Sequence, residues 1–263
     1  MIIYEGDLLD RATSSVSLDI RLKANAKYSS TNFNEWLMER LQVRRGMDIL
    51  DVGCGNGAQT IPFSRLVGEH GSVSAIDLSS ESIQTLSDSF NGMGNIQAVC
   101  GDMAELGPII AEQFKVKRYD LAHSSYALYY SKDRYQVLHA MRSALKKEGR
   151  LAIFTPNEPH GMVDFVKQFT EIPLQVEQCF VFGPDVLESY FRKHFWDVSI
   201  FLFHNVVRIP LLEDVMNFYR VTTYYDADSD KKVKNAVQTE IENNGYFEYE
   251  KNGYLIIGQQ QFH

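Results

Sequence analysis

The sequence predicts an α/β fold with a doubly wound, mainly parallel sheet. Strand patterns and helical patterns alternate along the chain, and each strand–helix unit takes about 20 to 30 residues. Parallel strands joined in this way need helices that cover both faces of the sheet. Strands are predicted near 47–52, 72–77, 96–100, 118–124 and 149–155, and helices near 57–67, 80–90, 104–114 and 133–146.

Length and composition are those of one large globular domain. A chain of 263 residues is expected to bury about three quarters of its unfolded surface, and 44% of its residues are hydrophobic and 23% charged. The net charge of −8 disfavours a polyanionic partner such as nucleic acid, because phosphate contacts need clustered Lys and Arg. The short Lys231-Lys232-Val233-Lys234 run is typical of a solvated helix face.

The cysteines and the distribution of apolar residues indicate the cellular compartment of the protein. Cysteines occur at positions 54, 100 and 179, which gives neither a disulfide framework nor a metal-ligand spacing. We therefore expect no bound metal and a reducing, cytoplasmic environment. The N-terminus lacks the basic start and apolar run of a secretory signal, and no apolar segment approaches the ~20 residues of a membrane span. No membrane partner is expected.

The stretch from residue 48 to residue 60 predicts a ligand site. It has the pattern of a buried strand that ends near Asp51, a glycine-rich turn and the start of a helix. Gly53 and Gly55 can adopt positive φ and let a ligand approach bare backbone. The helix that begins near Gly57 directs free N–H groups toward the turn, and Asp51 adds a carboxylate there.

Three successive predicted strands end in an aspartate: Asp51, Asp77 and Asp102. The carboxyl ends of parallel strands meet at one edge of the sheet, where open α/β sheets bind ligands. An acid at the end of the second strand of a βαβ unit can accept hydrogen bonds from both hydroxyls of a ribose, and Asp77 has this position. Each aspartate alone could be a helix cap, but the three together indicate a shared site.

These motifs resemble those of the class I S-adenosylmethionine-dependent methyltransferase family, of small-molecule type. The matching stretches are LDVGCGNG at 50–57, AIDLS at 75–79, CGDM at 100–103 and YDLAHSS at 119–125. They occur in the order of the family and cover about residues 33 to 155. The resemblance implies a Rossmann-like fold with seven strands, the last one antiparallel, and S-adenosylmethionine as the cofactor.

The resemblance also implies which residues contact the cofactor. Asp77 is expected to bind the ribose and Asp102 the adenine amino group. Tyr28 is either a contact to the methionine end of the cofactor or a side chain half-buried against the sheet. The full predicted set is Tyr28, Asp51, Gly53, Gly55, Gly57, Asp77, Leu78, Asp102, Met103 and Ser124.

A nicotinamide or flavin dinucleotide site is the rival hypothesis, because GCGNGA at 53–58 also satisfies G-x-G-x-x-A. Three features oppose it. The glycine at position 57 shortens the turn, an acid lies two residues before the first glycine, and Asp102 has a role toward an adenine amino group but none toward a pyrophosphate.

The rest of the chain is predicted to enclose the site. The segment 1–45 is interpreted as an N-terminal helical cap, and 46–205 with 246–263 as the methyltransferase domain. The segment 206–245 lies between the last two strands and is too long for a simple loop. We interpret it as a helical lid, with a dimer interface as the alternative. Its aromatic side chains are expected to face substrate or core: Phe218, Tyr219, Tyr224 and Tyr225.

Helical patterns in the cap lie near 7–24 and 32–41. After the fifth strand, helices are predicted near 161–171 and 184–194, strands near 196–205 and 246–259, and lid helices near 211–225 and 229–243.

The fourth strand holds the candidate catalytic residues, because the resembled family places substrate-facing side chains there. His123 is a candidate general base, and the alternative is a hydrogen-bonded structural histidine, since strand parity can turn it into the core. Tyr126, Tyr129 and Tyr130 can bind substrate or shape the path of the methyl group, and Tyr129 is the second candidate catalytic residue. His160 is a weaker candidate base.

Departures from other family patterns narrow the expected chemistry. The stretch after residue 122 lacks the Asn-Pro-Pro-Tyr signature of enzymes that methylate amines of nucleic acids and protein glutamine, and Ser125 replaces the aspartate of metal-dependent catechol methyltransferases. We therefore predict methyl transfer to an oxygen or nitrogen of a small-molecule metabolite. The alternatives are a methyltransferase acting on protein or RNA and a catalytically silent cofactor-binding protein. A homodimer is possible.

Overall fold

The computed structural model describes residues 6–90 and 94–260. Its strands form one mixed sheet in the order β3-β2-β1-β4-β5-β8-β6, and a further short strand, β7, pairs with β8. The strands are β1 (Asp48–Val52), β2 (Ser72–Asp77), β3 (Ile96–Cys100), β4 (Tyr119–Ser125), β5 (Leu145–His160), β6 (Asp197–Phe203), β7 (Val206–Ile209) and β8 (Phe247–Gln259).

The first five strands run parallel, and β8 lies antiparallel between β5 and β6. The predicted doubly wound, mainly parallel sheet with an antiparallel last strand is confirmed. The eighth strand is the difference from the seven expected. Val206–Ile209 pairs with residues 247–250, because β8 continues beyond the main sheet and offers a free edge there.

Helices flank the sheet and cover its carboxyl edge. They are α1 (Asp7–Thr13), α2 (Ser15–Tyr28), α3 (Phe33–Leu41), α4 (Thr60–Val67), α5 (Ser80–Ser89), α6 (Leu106–Glu112), α7 (Arg134–Ser143), α8 (Gly161–Val166), α9 (Leu174–Val181), α10 (Glu188–His194), α11 (Leu212–Arg220) and α12 (Asp230–Asn244). Within the described residues no helix is both long enough and apolar enough to cross a membrane.

Local chemistry explains where these helices depart from the predicted bounds. The first helical pattern is divided at Ser14, which has extended backbone and caps α2 by accepting a hydrogen bond from the Ser17 N–H. Helix α4 begins at Thr60, later than the pattern near 57 suggests, because Gly57 has a φ of +87°. Helix α9 was not predicted.

The apolar core has three large parts. The first and the third lie around the central sheet, with Leu50 and Ile153 fully buried in one and Leu121 in the other. The second packs α8, α9, α11 and α12 against β7 and the start of β8, and it includes Met216 and Tyr219. The second core therefore ties the segment 206–245 to residues 161–181, while the division into cap, domain and lid stays a prediction.

Candidate active site

A cavity of about 500 Å³ lies at the carboxyl ends of the parallel strands. Its floor comes from the segments that follow β1, β2, β3 and β4, and its walls from α1, α2, α9, α11 and the loop after α11. The neighbours of β1 are β2 on one side and β4 on the other, so the strand order reverses direction at this point. Open α/β sheets bind ligands at such a switch point.

The glycine turn after β1 depends on backbone that only glycine adopts freely. Gly53 and Gly55 have φ of +74° and +50°. A β-carbon on Gly53 would lie 2.2 Å from the Ala127 Cβ, and one on Gly55 would lie 2.6 Å from the Leu18 side chain. The absence of side chains thus keeps open a cradle between the turn, the segment after β4 and α2.

Asp77 is fixed at the end of β2 by backbone donors. Its Oδ2 accepts a hydrogen bond of 2.7 Å from the Gly55 N–H, and its Oδ1 accepts one of 2.9 Å from the Ser79 N–H. Burial raises the pKa of this carboxyl, against the effect of those hydrogen bonds. Each oxygen keeps capacity for a further donor, so the group suits paired hydroxyls.

Asp102, Leu78 and Met103 complete this end of the cavity lining. Asp102 caps the short 3₁₀ turn Met103–Glu105 by accepting a hydrogen bond of 2.9 Å from the Ala104 N–H. Leu78 is 46% exposed, which is high for a leucine and leaves an apolar surface beside the two carboxylates. Carboxylates for hydroxyls and an amino group next to apolar surface for a flat ring fit an adenosine-type ligand.

His123 and Asp51 lie beneath the cavity rather than in it. His123 is fully buried and Asp51 is 2% exposed, and Nδ1 of His123 lies 2.9 Å from Oδ1 of Asp51. The other histidine nitrogen, Nε2, lies 2.8 Å from the Ser125 hydroxyl, and Asp51 also accepts a hydrogen bond of 2.6 Å from Thr60. Of these four residues only Ser125 lines the cavity.

Strand parity is the reason for this difference from the expectation. His123 of β4 stands opposite Asp51 of β1 in the parallel ladder, so both side chains leave the same face of the sheet. That face is covered by α4, whose Phe63 ring meets the His123 ring edge-on at 5.1 Å. Asp51 therefore does not lie at the rim of the cavity, and His123 does not face a substrate directly. This geometry agrees with the alternative of a hydrogen-bonded structural histidine.

Three other expected cofactor contacts lie off the cavity lining. The Tyr28 hydroxyl donates to Oδ2 of Asp214 on α11, so it holds α2 against that helix. Gly57 serves packing, since a β-carbon there would lie 2.3 Å from the Leu86 side chain. Ser124 is fully buried.

Aromatic side chains form the far part of the cavity. Tyr126 has a φ of +54°, an uncommon value for a residue with a side chain and typical of functional sites. Its ring packs 4.8 Å from that of Phe154. Tyr129 and Tyr130, whose ring centres are 4.5 Å apart, also line the cavity. The position of Tyr129 is compatible with its predicted role, which stays a prediction.

Sequence reasoning missed three basic lining residues, Arg21 of α2, Lys132 of the segment after β4 and Lys251 of β8, while His160 was only a weaker candidate. Burial, with a smaller effect from Arg21, lowers the pKa of Lys251 to about 7. Burial and the charge of Lys251 lower the pKa of His160 to about 3. A lysine within the otherwise uncharged strand end at 251–259 was the available signal.

Comparisons with known proteins agree with the fold and the glycine turn. A family model described as "Methyltransferase domain" matches residues 44–189. The demethylmenaquinone methyltransferase of Staphylococcus aureus strain MRSA252 is 31% identical over 123 residues, which cover 47% of this chain and 48% of that protein. The chain thus matches about half of the length of its curated relatives.

Solved structures show the same fold at low identity. A Bacillus halodurans C-125 protein superposes with a TM-score of 0.61 at 16% identity, over 87% of this chain and 99% of its own. The [4+2]-cyclase SpnF superposes with a TM-score of 0.58 at 14% identity, over 100% of this chain and 99% of its own.

The fold and the glycine-turn site define a nucleoside-cofactor-binding α/β protein. Because the family model covers more than half of the residues, the chain belongs to the class I S-adenosylmethionine-dependent methyltransferase family. The cofactor of this family is S-adenosylmethionine, and the cradle above Gly53 with the two carboxylates after β2 and β3 fits it.

Replacing Gly53 by alanine should abolish the cradle. We expect the Gly53→Ala variant to bind S-adenosylhomocysteine, the demethylated cofactor, at least tenfold more weakly in calorimetry, since its Cβ meets Ala127 and its φ is positive. Gly68→Ala is the matched control, because Gly68 has a φ of +67° but open space around it. Equal affinity of both variants would contradict the assignment of the cradle.

The buried His160 should make the protein sensitive to acid. Its folded pKa lies below its unfolded value of about 6.5, so the unfolded state binds the extra proton between these values and stability falls as pH falls from 6.5 toward 3. By pH 4 this amounts to about 3 kcal/mol. Urea unfolding between pH 7 and 4 should show a shallower loss for His160→Gln than for wild type, while the exposed-site control His70→Gln behaves as wild type. Parallel curves for all three proteins would refute the prediction.

Proposed function

We propose that the protein transfers a methyl group from S-adenosylmethionine to an oxygen or nitrogen of a small-molecule metabolite. The observation that carries this is the shape of the site: the cavity of about 500 Å³ extends from the strand-end carboxylates to an aromatic wall. Its volume is in the range of small-ligand pockets. Segments from both ends of the chain enclose it, which favours a metabolite over a folded macromolecule.

The cofactor contacts follow from the residues around the glycine turn. Asp77 would accept hydrogen bonds from the ribose hydroxyls and Asp102 from the adenine amino group. Leu78 and Met103 would flank the ring, and the bare backbone of Gly53 would face the rest of the nucleoside. The other expected contacts, at Asp51, Gly57, Ser124 and Tyr28, would support the site from beneath or beside it.

When bound, the cofactor supplies an electrophilic methyl group on a sulfonium. The protein's part is to align the acceptor and exclude water, which can contribute several of the ~7–11 kcal/mol available from proximity. The tyrosine rings after β4 can face the sulfonium cation. Tyr129 stays a candidate for this contact.

A path for the acceptor proton begins at Ser125. With the Nδ1 proton of His123 donated to Asp51, Nε2 is free to accept from the Ser125 hydroxyl at 2.8 Å. We infer that His123 takes a proton only through Ser125 and does not touch the acceptor. An amine acceptor would not need this path.

The segment 206–245 has the position of a lid. Phe218 and Tyr224 from this segment line the cavity and also belong to the second apolar core. An opening of this core relative to the main sheet would expose the acceptor end. A role of the same segment in a homodimer is the alternative.

Two other observations support a small molecule as the methyl acceptor. The printed name of the Staphylococcus aureus relative describes methylation of a small molecule, although the match covers about half of that protein. The net charge of −8 disfavours RNA. The three free cysteines suit a cytoplasmic location. SpnF shares the fold and is named a [4+2]-cyclase, so the fold alone does not establish methyl transfer. A catalytically silent cofactor-binding protein is the remaining alternative.

Two measurements test this function. Calorimetry should show that S-adenosylhomocysteine binds wild type and the surface control Asp88→Asn equally, and Asp77→Asn at least tenfold more weakly, since charged hydrogen bonds contribute about 1.5–3 kcal/mol. Incubation with methyl-labelled cofactor and separated fractions of a cell extract should label small molecules.

Label confined to protein or RNA would select the macromolecular alternative. Binding without any transfer would select the silent one, and absence of binding would contradict the cofactor assignment.

A further inference from the structure

The cavity has charges of opposite sign at its two ends. The carboxylates Asp77 and Asp102 follow β2 and β3, on one side of β1 in the sheet order. On the other side, His160 ends β5 and Lys251 stands opposite it in β8. Arg21 of α2 closes over the same end, near enough to lower the pKa of Lys251. We call Arg21, His160 and Lys251 the basic end.

No acid neutralises the basic end within residues 6–90 and 94–260. Neither Arg21 nor Lys251 takes part in a salt bridge between described residues, and the only acids on the cavity lining are Asp77 and Asp102. The Arg21 guanidinium donates to the carbonyls of Ser17 and Ala12 at 3.3 and 3.4 Å, which are long contacts.

Within the part of the chain that the structure describes, the Lys251 ammonium contacts an aromatic ring and no anion. It lies 5.4 Å from the centre of the Tyr126 ring. Beside it, Nδ1 of His160 is buried without a hydrogen-bond partner among the described residues. Arg21 and Lys251 are partly buried, and a cation held away from water without an anion is destabilised, so an anion in the cavity would stabilise them. Burial lowers the pKa of Lys251 for the same reason.

The surroundings of the basic end are aromatic. Tyr126, Tyr130 and Tyr224 line the cavity there, and burial raises the pKa of each. The Tyr130 hydroxyl is already hydrogen-bonded to the Arg21 side chain. Phe180 adds an apolar face, with its ring 5.1 Å from that of His160. Rings of this kind pack against a flat apolar body.

We propose that Arg21 and Lys251 form an anion subsite that binds a carboxylate of the methyl acceptor, which is a small acid with an aromatic body. The inference rests on the proposed function, since it names the acceptor class of the same cavity. A carboxylate has two acceptor oxygens, one for each of the two cations, and charge-assisted hydrogen bonds from Arg and Lys are the strong ones. The aromatic wall excludes a ligand that carries many charges.

The test uses matched pairs of acids and amides as probes. Calorimetry with S-adenosylhomocysteine comes first, and its failure would overturn the proposed function rather than the subsite. With that compound bound, benzoate, phenylacetate, 4-hydroxybenzoate and indole-3-acetate are compared with their primary amides. We expect at least one acid to bind at least tenfold more tightly than its amide.

Variants then show which residues cause the preference for the acid over its amide. Lys251→Met and Arg21→Met should each lose at least tenfold in affinity for that acid and leave the affinity for the amide unchanged, while Lys251→Arg retains most of the preference. Lys23→Met, on the exposed side of α2, is the control and should behave as wild type.

Three outcomes would overturn the inference: equal binding of every acid and its amide, no detectable binding of any acid, or an acid preference that survives both methionine variants. The acid–amide comparison on wild type decides the first two even if a variant fails to fold.

Discussion

The hydrogen bond from the Gly55 N–H to the Asp77 carboxylate is the contact on which the site depends. It joins the turn after β1 to the end of β2, and it forms only because the turn takes backbone with positive φ. Because Asp77 is largely desolvated, its backbone donors offset part of the cost of burial, and the carboxylate is held in one orientation. A ligand therefore meets a preformed acceptor rather than a mobile side chain.

A buried polar chain supports this turn from below. Thr60 at the start of α4, Asp51 of β1, His123 of β4 and Ser125 are connected by hydrogen bonds of 2.6, 2.9 and 2.8 Å. These four hydrogen-bonded side chains fix the end of β4 relative to the end of β1, and the distance between the two strand ends sets the width of the cavity floor. A buried carboxylate is tolerated because both of its oxygens have partners, and replacing either partner alone would leave a charge unsatisfied.

How far the sequence predicts the structure depends on the range of the interactions. The alternation of strands and helices and the aspartates at strand ends are local patterns, so the mainly parallel sheet and the place of Asp77 and Asp102 at its carboxyl edge could be inferred. The direction of His123 depends on the register between β1 and β4, which one strand alone does not reveal. Arg21 and Lys251 are 230 positions apart and line the same cavity only through tertiary packing, so no local pattern predicts that both lie there. The extra strand β7 likewise forms because β8 runs past the main sheet.

The opposite charges at the two ends of the cavity give the bound molecules a direction. The adenosine part of the cofactor has hydroxyl and amino donors that suit the carboxylates of Asp77 and Asp102, and it carries no anion for Arg21 and Lys251. An anion has the reverse preference, because Asp77 and Asp102 repel it. The tyrosine rings after β4 lie beside the basic end, where the Lys251 ammonium is 5.4 Å from the centre of the Tyr126 ring, and they supply an aromatic wall rather than a charge. Opposite charges at the two ends would thus orient two bound molecules without requiring a residue that binds both.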